Sequence, residues 1–208
     1  MSRSPRDLVS FRGMKSASNP LIYLASASPR RSALLDQIGV PHRVLAVDVD
    51  ETARGGEAPE QYVRRLAVLK AETLWQKLAA PQRAPVLGAD TAVVLDAQIL
   101  GKPRDETDCV RMLRLLSGRT HQVFTAVALQ ASTCQARVNV SDVTFRKLTD
   151  EEIRHYWRSG EPADKAGAYA VQGRAALFIE RIAGSYSGIM GLPLFETGEL
   201  LAAIGAHA

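Results

Sequence analysis

Apolar and polar positions along the chain alternate between two periods. Leu21 to Ala25 is a short apolar run that reads as a buried strand, stopped at Ser26-Ala27-Ser28. Pro29 suits the first position of a helix, and Ser28 before it is an N-cap residue type. Leu34, Leu35 and Ile38 then give a helical apolar face, closed by Gly39 and Pro41. Arg43 to Asp48 alternates as a second strand. A longer helix follows from about Pro59 to Ala79, with Tyr62, Leu66, Leu69 and Leu74 near one face. Pro85 to Leu95 reads as a strand, Asp96-Ala97 as a tight turn, and Gln98 to Leu100 as its hairpin partner. Asp105 to Ser117 is helical and Gly118 ends it. Residues 121–130 and 134–147 form a second hairpin across Ala131-Ser-Thr133. Thr149-x-x-Glu152 is a capping box opening a helix to Arg158. Gly160 to Gly173 is loop-rich, Ala175 to Ile182 reads as a strand, Gly184 to Gly191 as a flexible or ligand-hugging loop, and Phe195 to Ile204 as the last helix. Strands and helices mix without strict alternation, which predicts an α/β fold with a mixed sheet, in one body or two lobes.

The 208 residues suffice for one large domain or two small lobes around a sizeable core. The net charge of +4 is uneven, since Arg3, Arg6, Arg12 and Lys15 stand against Asp7 alone in the first 19 residues. The body is thus near +1, without the basic face that nucleic-acid binding requires. Residues 1–19 are polar and Ser-rich and read as a disordered leader, with Met14 as an alternative start, ahead of one domain over residues 20–208. No stretch approaches the roughly 18 apolar residues of a membrane span, and no signal-peptide core is present. Cys109 and Cys134 lack metal-type spacing and read as reduced thiols. These features suit a cytoplasmic protein. The four histidines are scattered and no Walker or G-x-G-x-x-G loop occurs, which argues against zinc and Ser–His chemistry.

The polar residues that break the pattern carry the chemistry. Arg30 and Arg31 crowd a helix N-terminus whose dipole already disfavours cations, an arrangement that suits a bound phosphate chain beside Ser28. Asp90 interrupts an apolar strand, and aspartate is seldom buried without a partner. Glu51 follows Asp48 and Asp50 at a strand end. Lys70 and Lys102 taken singly read as solvated lysines. Asp164 and Lys165 lie among small residues that admit a ligand to the backbone, and Gln172 offers a donor and an acceptor to a base edge. Carboxylate oxygens of Glu51 and Asp90 suit Mg²⁺ or Mn²⁺, and the assembled inventory suits hydrolysis of a phosphoanhydride.

Several separated motifs, in order, resemble the Maf family of nucleoside triphosphate pyrophosphatases, also called septum formation inhibitor-like proteins. They are Leu24-Ala-Ser-Ala-Ser-Pro-Arg-Arg31, Asp50-Glu51, Arg65-Leu-Ala-Val-Leu-Lys-Ala71, Gly88-Ala-Asp-Thr91, Leu100-Gly-Lys-Pro103, Leu116-Ser-Gly-Arg-Thr-His121, Asp164 to Gly173 and Gly184-Ser-Tyr-Ser187. The resemblance implies a mixed twisted sheet flanked by helices, two lobes around a cleft, similar to the inosine-triphosphate pyrophosphatases. It implies cleavage of a nucleoside triphosphate to monophosphate and pyrophosphate with a divalent metal, and a homodimer. The catalytic aspartate falls on Asp90, specificity positions on Arg30, Thr91 and Gln172, and further site residues on Glu51, Lys70 and Lys102. Thr at 91 matches the dTTP and UTP branch, where the 7-methyl-GTP branch has Gln. Gly188 departs from the Asn often found there. The competing readings are a pyrophosphatase for 7-methyl-GTP or another modified nucleotide, and a nucleotide-sensing regulator of cell division.

Overall fold

The structure is a computed structural model that describes residues 22–80 and 83–206; the expected leader lies outside them. One seven-stranded sheet organises the chain. Its strands are β1 (Ile22–Leu24), β2 (His42–Val44), β3 (Val86–Leu95), β4 (Gln98–Leu100), β5 (Thr120–Gln130), β6 (Cys134–Phe145) and β7 (Ile179–Ala183), in the order β2-β1-β3-β5-β6-β7 with β4 on β3. β2, β1 and β3 are parallel, and β3, β5, β6 and β7 are antiparallel.

The helices follow from their end signals. α1 (Pro29–Gln37) starts at its proline and stops before Gly39 at φ 68°. α2 (Pro59–Lys77) has Pro59 and Glu60 in its first turn and Lys77 in its last, the charge order its dipole favours. α3 (Glu106–Leu116) is capped by the Asp105 side chain, and α4 (Asp150–Arg158) by the Thr149–Glu152 capping box. The hairpin turn Asp96-Ala97 has φ of 49° and 64°, as a two-residue turn between twisted strands requires.

Four expectations are corrected. The second strand ends at Val44 rather than Asp48, because its neighbour β1 ends at Leu24, directly opposite Val44. The apolar run from Ala175 begins as a 3₁₀ turn (Arg174–Phe178) that buries Ala175 and Phe178 three residues apart, so β7 starts only at Ile179. The expected loop 184–191 contains a short helix, α5 (Tyr186–Met190), capped by Ser185. Along α2 the residues fully buried are Val63, Leu66, Ala67, Lys70, Ala71 and Leu74, while Tyr62 and Leu69 are half-buried. The last helix is α6 (Leu194–Ala202).

The core has three parts. α2 covers one face of the sheet with Val63, Ala67, Ala71 and Leu74 against Val86, Ala92, Val94 and Ala126. α1 and α6 cover the other with Leu34, Leu35, Leu200 and Leu201 against Leu87, Ala89 and Val127. A third cluster joins α3 and α4 to the far end of the sheet through Val93, Leu113, Phe145 and Ile153.

β3 positions the site. Along one edge its residues Val86 and Leu87 pair with β1, and Val93 to Leu95 pair with β4. The stretch between, Gly88 to Ala92, has no strand on that side among the described residues. The parallel half of the sheet ends there and the chain turns away into α1, the kind of switch point where α/β sheets open a crevice.

Candidate active site

A cleft of about 580 Å³ opens on that bare stretch of β3. Its lips are the chain leaving β1, Ser26 to Arg31, and the chain leaving β4, Gly101 and Lys102. Side chains alternate along a strand, so Asp90 points to the α2 side of the sheet and Thr91 to the α1 side. The cleft reaches both.

On the α2 side lies a buried charge cluster. Asp90 and Lys70 are 7% and 8% exposed, and Lys70 Nζ donates to Asp90 Oδ1 at 2.7 Å. The same ammonium lies 2.6 Å from Glu51 Oε1. The close approach depends on Gly88: a Cβ built there would meet the Ala67 carbonyl oxygen at 2.2 Å and the Ala71 nitrogen at 2.8 Å. α2 therefore rests on bare strand backbone two residues from Asp90, which brings Lys70 down to the carboxylate. Burial raises the Asp90 carboxyl above the ordinary aspartate range, against the pull of Lys70 and Arg31. Burial would also raise Glu51, but its hydrogen bond and charge contact with Lys70, with Lys102 and Arg31 behind, outweigh this and hold it low. Tyr62 also lines the cleft. Burial, then the charges of Asp90 and Glu51, push its hydroxyl up to about 12, so it remains a donor at neutral pH.

On the α1 side the two arginines diverge. Arg31 donates from Nε to the Gly191 carbonyl at 2.8 Å, from Nη1 to Ser26 Oγ at 3.0 Å and from Nη2 to Thr91 Oγ1 at 3.2 Å. Its nitrogens tie α1 to β3 and to the chain after α5. Arg30 makes no side-chain hydrogen bond or ion pair among the described residues and faces the cleft. Ser28 holds the extended N-cap backbone, but its side chain makes no capping bond; its N–H donates to Ser26 Oγ at 3.2 Å. Thr91 Oγ1 also lies 3.0 Å from the Thr125 hydroxyl, which donates to the Gly188 carbonyl at 2.8 Å. Gly188 is buried, and a Cβ there would stand 2.7 Å from Asn139 Oδ1, so Asn139 occupies the room that a side chain at 188 would need.

The outer rim comes from the segment after α4. Lys165 pairs with Asp164, Gln172 is exposed, and Lys102 has no side-chain partner among the described residues. The Gly167 N–H donates to the Gly101 carbonyl at 3.0 Å and joins the two rim segments. Gly167 has φ 65° and a Cβ would meet Val93 at 2.8 Å, so only glycine fits this join. Behind it Tyr169 meets His121, hydroxyl to Nε2 at 2.8 Å, and both rings pack edge-on to Phe145.

All eleven residues read from the sequence, Ser28, Arg30, Arg31, Glu51, Lys70, Asp90, Thr91, Lys102, Asp164, Lys165 and Gln172, line this one cleft. The reading of Lys70 as a solvated lysine is corrected by its burial between two carboxylates. Sequence reasoning missed Tyr62, Thr125 and Tyr169 as contributors. Tyr62 had a usable signal, a hydroxyl on the helix face that carries Lys70; Thr125 in an apolar strand had none.

A carboxylate floor and a cationic rim at a switch point define an α/β protein shaped to hold an anionic ligand over an acid–base cluster. The chain belongs to the Maf-like protein family, whose model matches residues 21–204. It is 56% identical over 197 residues to a dTTP/UTP pyrophosphatase of Aromatoleum aromaticum, covering 88% of this chain and 95% of that protein. A dTTP/UTP pyrophosphatase of Xanthomonas euvesicatoria pv. vesicatoria is 54% identical over 191 residues, covering 90% of this chain and all of its own. Among solved structures, the Staphylococcus aureus Ham1 protein overlaps 62% of this chain and 72% of its own at 18% identity, with a TM-score of 0.42.

Proposed function

We propose that this protein hydrolyses nucleoside triphosphates, dTTP and UTP foremost, to the monophosphate and pyrophosphate. The observation that carries this is the buried Asp90–Lys70–Glu51 bridge at the foot of a cleft rimmed by Arg30, Lys102 and Lys165. The relatives named above support the substrate class.

In this reading the rim cations and the α1 N-terminus hold the triphosphate. Asp90 takes a proton from the water that attacks the α-phosphorus, the bond from phosphorus to the bridging oxygen breaks, and pyrophosphate leaves. Burial aids Asp90 in this, because a raised pKa makes a carboxylate a stronger base. Lys70 keeps Asp90 and Glu51 aligned and supplies a fixed positive charge beside them. No group of three or more His, Cys, Asp or Glu side chains is placed to hold a metal among the described residues. Two carboxylates are nonetheless a fitting set for Mg²⁺ or Mn²⁺, which take such oxygens together with substrate phosphates and water. Glu51 and Asp90 would hold the ion, which when bound neutralises phosphate charge and lowers the pKa of water. Thr91 and Gln172 face the base, with Thr91 backed by Arg31 and Thr125. A homodimer in the cytoplasm belongs to the same proposal.

Pyrophosphate release with Mg²⁺ or Mn²⁺ across dTTP, UTP, CTP, GTP and 7-methyl-GTP tests the reading. The specificity constants for dTTP and UTP should exceed the rest by about tenfold or more, since a polar site rejects bases that leave its groups unpaired. A preference for 7-methyl-GTP, or release of orthophosphate in place of pyrophosphate, would overturn it.

A further inference from the structure

Glu51 presents a problem of order. It lies on the chain between β2 and α2, in a stretch without regular secondary structure, and its side chain is 51% exposed. Yet its carboxylate sits 2.6 Å from Lys70 Nζ. An exposed carboxylate on a free loop would spread over many positions, because one ion pair near water contributes little against the entropy of holding it.

The backbone around Glu51 is held from α2. The Tyr62 hydroxyl donates to the Glu51 carbonyl at 3.0 Å. Arg65 Nη2 donates to the next carbonyl, Thr52, at 3.2 Å. The same guanidinium grips Glu57 with two bonds of 2.6 and 2.7 Å, and Glu57 Oε2 accepts the Arg54 N–H at 3.1 Å, which closes the loop. The Arg65 guanidinium also lies 5.6 Å from the centre of the Tyr62 ring, stiffening both. Tyr62 and Lys70 are eight residues apart, about two turns, so one face of one helix holds both ends of Glu51: its carbonyl by a hydroxyl, its carboxylate by an ammonium.

We propose that Tyr62, supported by Arg65, is a positioning residue that fixes Glu51 against Lys70 and so keeps the acid cluster assembled. This rests on the hydrolytic reading above. The distance from Glu51 to Asp90 is then set by the packing of α2 on β3, with the loop backbone held by Tyr62 and Arg65.

The test compares wild type with Tyr62→Phe, Arg65→Lys and Glu51→Gln in UTP turnover with Mg²⁺, thermal unfolding and amide hydrogen exchange. Tyr62→Phe removes one oxygen and should lower kcat about tenfold, with KM changed by no more than about twofold. Amides of residues 50–57 should exchange faster while those of α2 do not. Arg65→Lys keeps the charge but loses the fork, and should move the same way. Unchanged turnover in Tyr62→Phe with an impaired Glu51→Gln would overturn the inference alone. A loss of kcat matched by loss of protection throughout α2 would also overturn it, since the hydroxyl would then be merely structural. A fully active Glu51→Gln would remove Glu51 from the reaction and the inference with it.

Discussion

At the scale of single residues, position within the cluster decides what each charge does. Asp90→Asn keeps the shape, removes the proposed base, and leaves Lys70 with one carboxylate. Turnover should fall by about two orders of magnitude or more, read from steady-state pyrophosphate release. Burial raises the Asp90 carboxyl, so in the metal-free protein it holds its proton to a higher pH than an exposed aspartate does. In the metal-free protein the Asp90 carboxyl should therefore titrate above an exposed aspartate, read by NMR across the acid range. The adjacent arginines separate in the same way. Arg30 has no side-chain partner among the described residues, so Arg30→Lys should raise KM for UTP about fivefold or more and leave the melting temperature in place. Arg31 holds three internal acceptors, so Arg31→Lys should lower the melting temperature as well. The doublet Arg30-Arg31 was legible as a cationic pair that lines the cleft, but the division of labour within it was not. Which guanidinium turns inward depends on Gly191 and Thr91, 160 and 60 residues further along the chain.

At the scale of elements, the join between β5 and the segment around Tyr169 carries a pH-sensitive group. His121 is 1% exposed, and burial pushes its pKa down to about 4 from 6.5. The unfolded chain thus binds one more proton than the folded one between these values. This contribution to stability is fully present above pH 6.5 and is lost as pH falls toward 4, up to roughly 3 kcal/mol in all. Glu57 and Glu152, pulled down to about 2 by hydrogen bonds from Arg65 and Arg146, matter only further into acid. Between pH 6.5 and 5 the melting temperature should fall in wild type and stay nearly level in His121→Gln, whatever the starting stability of the variant. Elements with strong periodicity or end signals, α2, α3, α4 and the β3–β4 turn, were legible from the sequence. The runs at 175–182 and 184–191 were not. A short apolar run reads equally as a 3₁₀ turn or a buried strand, and only packing of Phe178 against Phe145 and Tyr156 decides between them.

At the scale of the whole molecule, the sheet changes from parallel to antiparallel across β3, and the cleft occupies the gap left at that change. Asp90 and Glu51 serve it from the α2 face, Thr91 and Arg31 from the α1 face. The strand-interior aspartate was legible because it broke an apolar run. Lys70 was named only through the family resemblance, and its pairing with Asp90 was not legible, because the two lie 20 residues apart and only the packing of α2 on β3 joins them. Asp90 and Thr91 point to opposite faces of β3, so on the proposed reading substitutions at Thr91 should change the ratio of UTP to CTP turnover more than they change the best kcat. A panel of Thr91→Ser, Thr91→Val and Thr91→Gln checks this. A uniform fall across all nucleotides would assign Thr91 to the chemistry instead.

Gly88 extends this to how the protein can vary. The atoms that crowd a Cβ at 88 belong to the backbone of α2, the Ala67 oxygen and the Ala71 nitrogen. Trimming a neighbouring side chain relieves neither. In a saturation scan for activity, position 88 should therefore look as intolerant as position 90, although it bears no functional group. A search for second-site revertants of Gly88→Ala should come back nearly empty.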